Sequence, residues 1–225
     1  MFGRSKSKSK NEETVVVKSV APVKSVKTGS TTIVVDCIEI KGDIKGCGAI
    51  HIDGTIHGDI EVEQSVVIGE KGSVYGNIKS RKVVVSGLLE GSIVCDNLEV
   101  TIKGRISDNI KAKTIVSDGH IEANVYSEES ILIQGNGKTI SEKIHSKTIV
   151  VDGSVKGNLV ATQLLEIHKN GVVEGSMSVK NIKTQEGGRM LGSMATYMEV
   201  KATKVENINA EAVEEVEEDG FFNKD

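Results

Sequence analysis

The chain has 225 residues, 38% hydrophobic and 27% charged, enough for one good-sized domain or two small ones with a real core. Only 3% is aromatic, Trp is absent and Pro occurs once against 24 glycines; this excludes a base-stacking nucleic-acid surface and leaves a Val, Ile and Leu core cut by tight turns, a composition of many short strands and few helices. The net charge of -4 divides unevenly: residues 1–30 carry seven basic and two acidic residues, a net of +5, and residues 206–225 carry eight acidic and one basic, a net of -7, around a nearly neutral middle.

Residues 1–32 read as a basic, disordered tail. The segment has no apolar run that could serve as a signal peptide or a membrane span, and Cys37, Cys47 and Cys95 are an odd number without metal-ligand spacing, so a reduced, cytosolic protein is expected. Its start, MFGRSKSKSK, puts Met1 and Phe2 beside Arg4, Lys6, Lys8 and Lys10. An aromatic tip next to basic residues suits a membrane surface. Glycine stands at position 3 rather than 2, so this is not a myristoylation signal.

From residue 33 to 197 one phrase recurs. It reads IEIKGDI from Ile38, GTIHGDI from Gly54, GSVYGNI from Gly72, GLLEGSI from Gly87, GRISDNI from Gly104, GHIEANV from Gly119, KTISEKI from Lys138, GSVKGNL from Gly153, GVVEGSM from Gly171 and GRMLGSM from Gly188. Ten copies at steps of 15 to 19 residues are the signature of a solenoid. Between copies lie short alternating elements such as Val83-Val84-Val85 and Leu165-Glu166-Ile167, too brief for helices. Three strands per turn make a three-sided, all-β parallel β-helix of about ten coils, stacked at about 4.8 Å.

In each phrase the two aliphatics, Val74 and Ile78 for example, are expected to point inward, while a pair such as Gly76-Asn77 turns the corner. The polar corner residue recurs as Asp43, Asp59, Asn77, Ser92, Asn109, Asn124, Asn158, Ser176 and Ser193, and a side-chain hydrogen-bond ladder along that edge is predicted. The small residues Ser80, Cys95, Ala112, Ser127, Ser146 and Ala161 suit a crowded inner corner, where Cys95 is a small hydrophobe rather than a reactive thiol. Residues 198–225 form an acidic tail, expected to be disordered, in which Phe221 and Phe222 follow the acidic run.

No catalytic constellation emerges, and no cofactor or metal is expected. His51, His57, His120, His145 and His168 are scattered at outward positions; His51, Asp53, His57 and Asp59 are the nearest approach to a metal cluster and read as solvated surface. No glycine motif follows a strand and opens a helix, so the glycines are corners and not a phosphate cradle. Basic and acidic residues alternate along the body, which argues against nucleic acid as a partner.

Ile38, Ile44, Ile50, Ile56, Val62, Ile68 and Val74 lie six apart, the rhythm of left-handed hexapeptide β-helix acyltransferases, but the rhythm ends after residue 74, and the residues alone leave the hand open. Ten tandem courses of G-x-[IV]-x-G-[DN]-I with V-x-V links resemble the bactofilins, bacterial cytoskeletal proteins that polymerise without nucleotide. The resemblance implies a right-handed β-helix, and the start MFGRSKSKSK is similar to that family's membrane-targeting segment. It also implies a filament on the cytoplasmic face of the membrane that scaffolds shape- or envelope-building clients, peptidoglycan-modifying proteins among them. Two departures stand out: the repeat region is longer than is usual in the family, and Met190 occupies the place of a common Phe. No helical cap is legible at either end, so the faces around Ile38 and Ile40 and around Met190 and Met194 are expected to pair with other subunits. The alternative is the acyltransferase, a discrete trimer that binds an acyl donor.

Overall fold

The structure, a computed structural model, describes residues 30–198. Among the described residues every regular element is a strand; seventeen strands join in one sheet, and every pairing is parallel. The sheet is wound into coils of three sides. In the second coil Thr55–His57, Ile60–Val62 and Ser65–Ile68 are the sides, each lying between its counterparts in the coils before and after. Further on the sides merge, and Lys138–Val151 runs round a whole coil. Nine coils, from 39–52 to 172–184, are complete. Arg189–Thr196 supplies two sides of a tenth, and Thr31–Val34 lies alone on the third side before the first.

A strand turns alternate residues to opposite faces, so every second side chain enters the prism. Stacking then builds columns: Ile56, Val74, Leu89, Ile106 and Ile121 on the first side, Ile60, Ile78, Ile93 and Ile110 on the second, and two per coil on the third, such as Val66 with Ile68. Each fully buried aliphatic contributes about 1.5–3 kcal/mol. Because its layer touches only the layers above and below, a coil owes its stability to both neighbours.

The uneven step has a physical cause at the corner between third and first sides. Four-residue turns closed by an i to i+3 hydrogen bond, as in Gly72 N donating to Gly69 O (3.0 Å) or Gly137 N to Gln134 O (2.8 Å), alternate with two-residue corners, Asp53-Gly54, Ser86-Gly87, Asp118-Gly119 and Asp152-Gly153. Long corners give steps of 17 or 18 residues, as between Thr55 and Ser73, and short ones 15 or 16, as between Glu39 and Thr55. The fold therefore repeats every two coils as far as the ninth. Long corners stand proud of the short ones and bridge over them: Lys71 pairs with Asp36 at 2.9 Å and Lys103 with Glu70 at 2.6 Å.

One copy of the phrase is displaced from its expected place. Lys138 pairs with His120 and Ser154, so the seventh copy begins at Gly137, and Thr139 rather than Ile140 enters the core. A bulge between Ser141 and Lys143 absorbs the extra residue. The Thr139 Oγ1 is buried without a hydrogen-bond partner. Burying an unpaired hydroxyl costs about 1–3 kcal/mol, so Thr139→Val, nearly the same in shape, is expected to raise stability by about 1–2 kcal/mol. A urea midpoint that does not move, or that falls, counts against an unpaired hydroxyl at this position.

The predicted corner ladder is present over the first four coils. Asp59 N donates to Asp43 Oδ1 (2.9 Å), Asn77 N to Asp59 Oδ1 (2.8 Å) and Ser92 N to Asn77 Oδ1 (3.2 Å). It lapses where the corner glycine is lost: Asp108 takes that place with φ 106°, and the Asn109 amide turns to the Asp108 carboxylate. It resumes between Ser193 and Ser176, 3.2 Å apart. At the inner corner Cys95, Ala112, Ser127, Ser146 and Ala161 are buried as expected while Ser80 is only half-buried, and Ser127 and Ser146 satisfy their hydroxyls by donating to nearby carbonyls.

Candidate functional site

The two ends of the rod differ from every layer between them. At the N-terminal end Glu39–Lys41 and Ile44–Gly46 pair only with the coil above, and their other edges are bare among the described residues. Thr31–Val34 covers the third side alone, pairing with Ala49–Ile52. Ile38 is 43% exposed and Ile33 64%, while Ile40 and Ile44 are half-buried against the core. At the C-terminal end Arg189–Thr196 pairs only with Val172–Thr184 below it. Met190 stacks on Val173 and Met194 on Met177, yet they are 42% and 59% exposed, with no layer above them among the described residues. Unbranched methionine adapts to whatever surface meets it.

Among the described residues each end thus presents an apolar cross-section rimmed by unpaired backbone N–H and C=O groups, an arrangement that templates further strands. Ile38 and Ile40 share one end, Met190 and Met194 the other. Nine steps of about 4.8 Å from the first coil to the tenth separate the two pairs by about 43 Å, so they can meet only across two molecules. Ile33, Val35 and Leu191 are further exposed apolar residues at these ends that sequence reasoning passed over. The alternation in TTIVVD is the available signal for the first two, but no copy of the recurring phrase contains that segment. Met1, Phe2, Arg4, Lys6, Lys8, Lys10, Phe221 and Phe222 lie outside the described residues.

The flanks carry little that could hold a ligand or do chemistry. Their charges pair from coil to coil: Glu61 with Lys79 at 2.8 Å, Lys113 with Asp96 at 2.7 Å, Lys183 with Glu166 at 2.8 Å. The hydrogen bond from Lys79 holds the Glu61 carboxyl below its ordinary range, and that from Lys183 does the same for Glu166. These pairs are solvated and weak. An open groove of about 880 Å³ along the second side is lined by opposite charges, Lys45, Glu61, Lys79, Asp96 and Lys113 among them, so it has no dominant sign. His51 bonds to Asp53 at 2.9 Å, His57 stacks on Tyr75 with ring centres 4.9 Å apart, and His145 stacks on Tyr126 at 5.2 Å. Among the described residues no three His, Cys, Asp or Glu side chains converge as metal ligands. Burial pushes the Cys95 thiol up to about 12, far from a nucleophile's range.

A family model described as "Bactofilin: Polymer-forming cytoskeletal" matches residues 32–118 and, a second time, residues 112–195. No curated protein and no solved structure matches the chain.

Proposed function

Since the chain belongs to the bactofilin family of polymer-forming cytoskeletal proteins, we propose that it assembles end to end, without nucleotide, into filaments on the cytoplasmic face of the membrane, where they scaffold envelope-building clients. The observation that carries this reading is the pair of ends that stand uncapped among the described residues. Each lays bare the core of a parallel solenoid, with Ile38 and Ile40 at one face and Met190 and Met194 at the other. A second molecule stacked there continues both the ladder and the core, as every coil does within the chain. On this reading the protein is structural and not an enzyme. The acyltransferase alternative loses its main support beyond residue 74, where coils of 15 to 18 residues replace the hexapeptide rhythm. Electron micrographs of the purified chain without nucleotide are the test. Long filaments are expected, and discrete trimers that bind an acyl donor would return the protein to the enzymes.

Membrane attachment is assigned to Phe2 with Arg4, Lys6, Lys8 and Lys10. One inserted aromatic adds about 2 kcal/mol and each basic residue about 1 kcal/mol near an anionic surface, so one copy binds weakly. A filament presents many copies, and avidity makes the attachment firm. Deleting residues 2–10 is expected to shift the polymer from the pellet to the supernatant when it is spun with anionic liposomes at low salt; co-sedimentation that does not change would rule the tip out.

A further inference from the structure

The corner between the third and first sides forms four recesses of one architecture, each a two-residue corner set back between two four-residue turns. The outward residue that opens the first side of each coil stands beside them, so three such residues flank every recess. They are Glu39, Thr55 and Ser73 at Asp53-Gly54, then Ser73, Leu88 and Arg105 at Ser86-Gly87, and Lys138, Ser154 and Val172 at Asp152-Gly153. Of the four, only the recess at Asp118-Gly119 has three basic residues: Arg105, His120 and Lys138, in register on successive coils about 4.8 Å apart. We propose that this recess, on the flank and separate from the ends, binds an anion that carries several phosphoryl groups in a row.

Two further features set it apart. Over the first two recesses an ion pair between the flanking turns forms a roof, Lys71 with Asp36 and Lys103 with Glu70. Among the described residues no ion pair crosses the recess at Asp118-Gly119. The turn beyond it carries Asn136, which bonds downward to the Asp118 carboxylate, N to Oδ1 at 3.0 Å and Nδ2 to Oδ2 at 3.3 Å. An open space of about 580 Å³ is left, with Ile102 and Lys103 on one wall and Asn136 on the other. The second feature is charge. Arg105 and Lys138 make no ion pair among the described residues, and the carboxylates at the margin are engaged: Glu70 by Lys103, Asp118 by Asn136, while Glu122 stands 4.0 Å from His120.

Like charges on adjacent strands repel, and an anion laid along them removes the repulsion. The Arg105 guanidinium is a fork that matches phosphate oxygens, and Lys138 supplies a point charge two coils away. A line of cations about 9.6 Å long meets a short chain of phosphates without all three side chains bending to one point. The exposed apolar residue at the lip is Ile102, which offers no ring on which a base could stack, so the phosphates themselves are what is recognised.

Calorimetric titration of the full chain with sodium tripolyphosphate at low salt tests the site, with β-rich circular dichroism as the folding control. Arg105→Gln and Lys138→Gln are each expected to weaken binding about tenfold, and the double variant about a hundredfold. Lys156→Gln is the control, since it removes one positive charge from the same side but outside the recess, where Lys156 pairs with Glu174 at 3.1 Å; a change of less than about twofold is expected. Equal losses in the control and the recess variants overturn the site in favour of diffuse charge. Binding that survives in the double variant overturns it in favour of the basic residues among 1–30, and a parent chain that binds no tripolyphosphate ends the proposal. Phosphatidylglycerol vesicles then identify the source of the phosphate. Co-sedimentation that falls in the double variant and not in Lys156→Gln assigns the site to lipid headgroups; loss of tripolyphosphate binding with unchanged co-sedimentation assigns it to a soluble polyphosphate.

Discussion

Met190→Arg is expected to leave the chain folded and to abolish long filaments. In the isolated molecule Met190 is 42% exposed on the last described layer, with Val173 beneath it, so an arginine there reaches water without disturbing the nine complete coils. At an end-to-end joint the same side chain is enclosed in the core column with no carboxylate on that column to meet it. An unpaired buried charge costs about 3–5 kcal/mol. Since about 1.4 kcal/mol is tenfold in an equilibrium, the concentration needed for assembly should rise by about two to three and a half orders of magnitude. Sedimentation and micrographs should find short, soluble particles with an unchanged β-rich spectrum. Long filaments from a folded variant would move the contact to the flanks.

The largest effect on the fold itself is expected from Gly76→Ala. Gly76 has φ +150°, and a Cβ placed there would fall within the Gly58 carbonyl group, 2.7 Å from its carbon. Gly58 stands in the same relation to Gly42, and Gly91 to Gly76, so the corner is a stack of glycines in which each carbonyl fills the space that a side chain would need. The strained φ costs about 1–3 kcal/mol, and relieving the overlap must push adjacent coils apart and weaken the ladder on both sides of the corner. A total above about 3 kcal/mol is anticipated, a fall in melting temperature of about 6–12 °C at the usual 2–4 °C per kcal/mol for a chain of this size. Gly42→Ala is the control. Its φ is +134°, but nothing lies within 4 Å of the added Cβ, so only the backbone penalty applies. Equal losses in the two variants would show that the stacked carbonyls do not matter.

Much of this architecture can be read from the residues, because a strand with one face buried must alternate. Ile56 and Ile60 flank Gly58-Asp59 in a way that admits one reading, and the same spacing returns at Val74 and Ile78. The unequal steps are visible in the residues, but their cause is not. A four-residue turn such as Gly69–Gly72 and a corner such as Asp53-Gly54 differ by two ordinary polar residues, and only the hydrogen bond that closes the turn tells them apart. Register at the seventh coil is misread for a similar reason. Ile140 is the more apolar residue, so a pattern aligned on hydrophobicity chooses it, whereas the ladder to His120 and Ser154 brings Thr139 inward. The end faces are legible as to place and incomplete as to membership. Ile38, Ile40, Met190 and Met194 lie there, but Ile33 and Val35 belong to a lone strand and its exit that no repeat unit contains.

The two family units in this chain run into each other without a break, and that bears on how a filament of such rods would respond to load. Inside the chain each coil is tied to the next by backbone as well as by its ladder, so tension along the axis is carried covalently. Between chains only hydrogen bonds and apolar contact resist it, and a pulled filament breaks there. With ten coils per subunit at about 4.8 Å each, such weak planes fall about 48 Å apart, about twice the spacing that a subunit with a single family unit would give. A filament of these subunits offers half as many sites per unit length for severing or for exchange of subunits, which favours a long-lived strut over a polymer that is continually rebuilt.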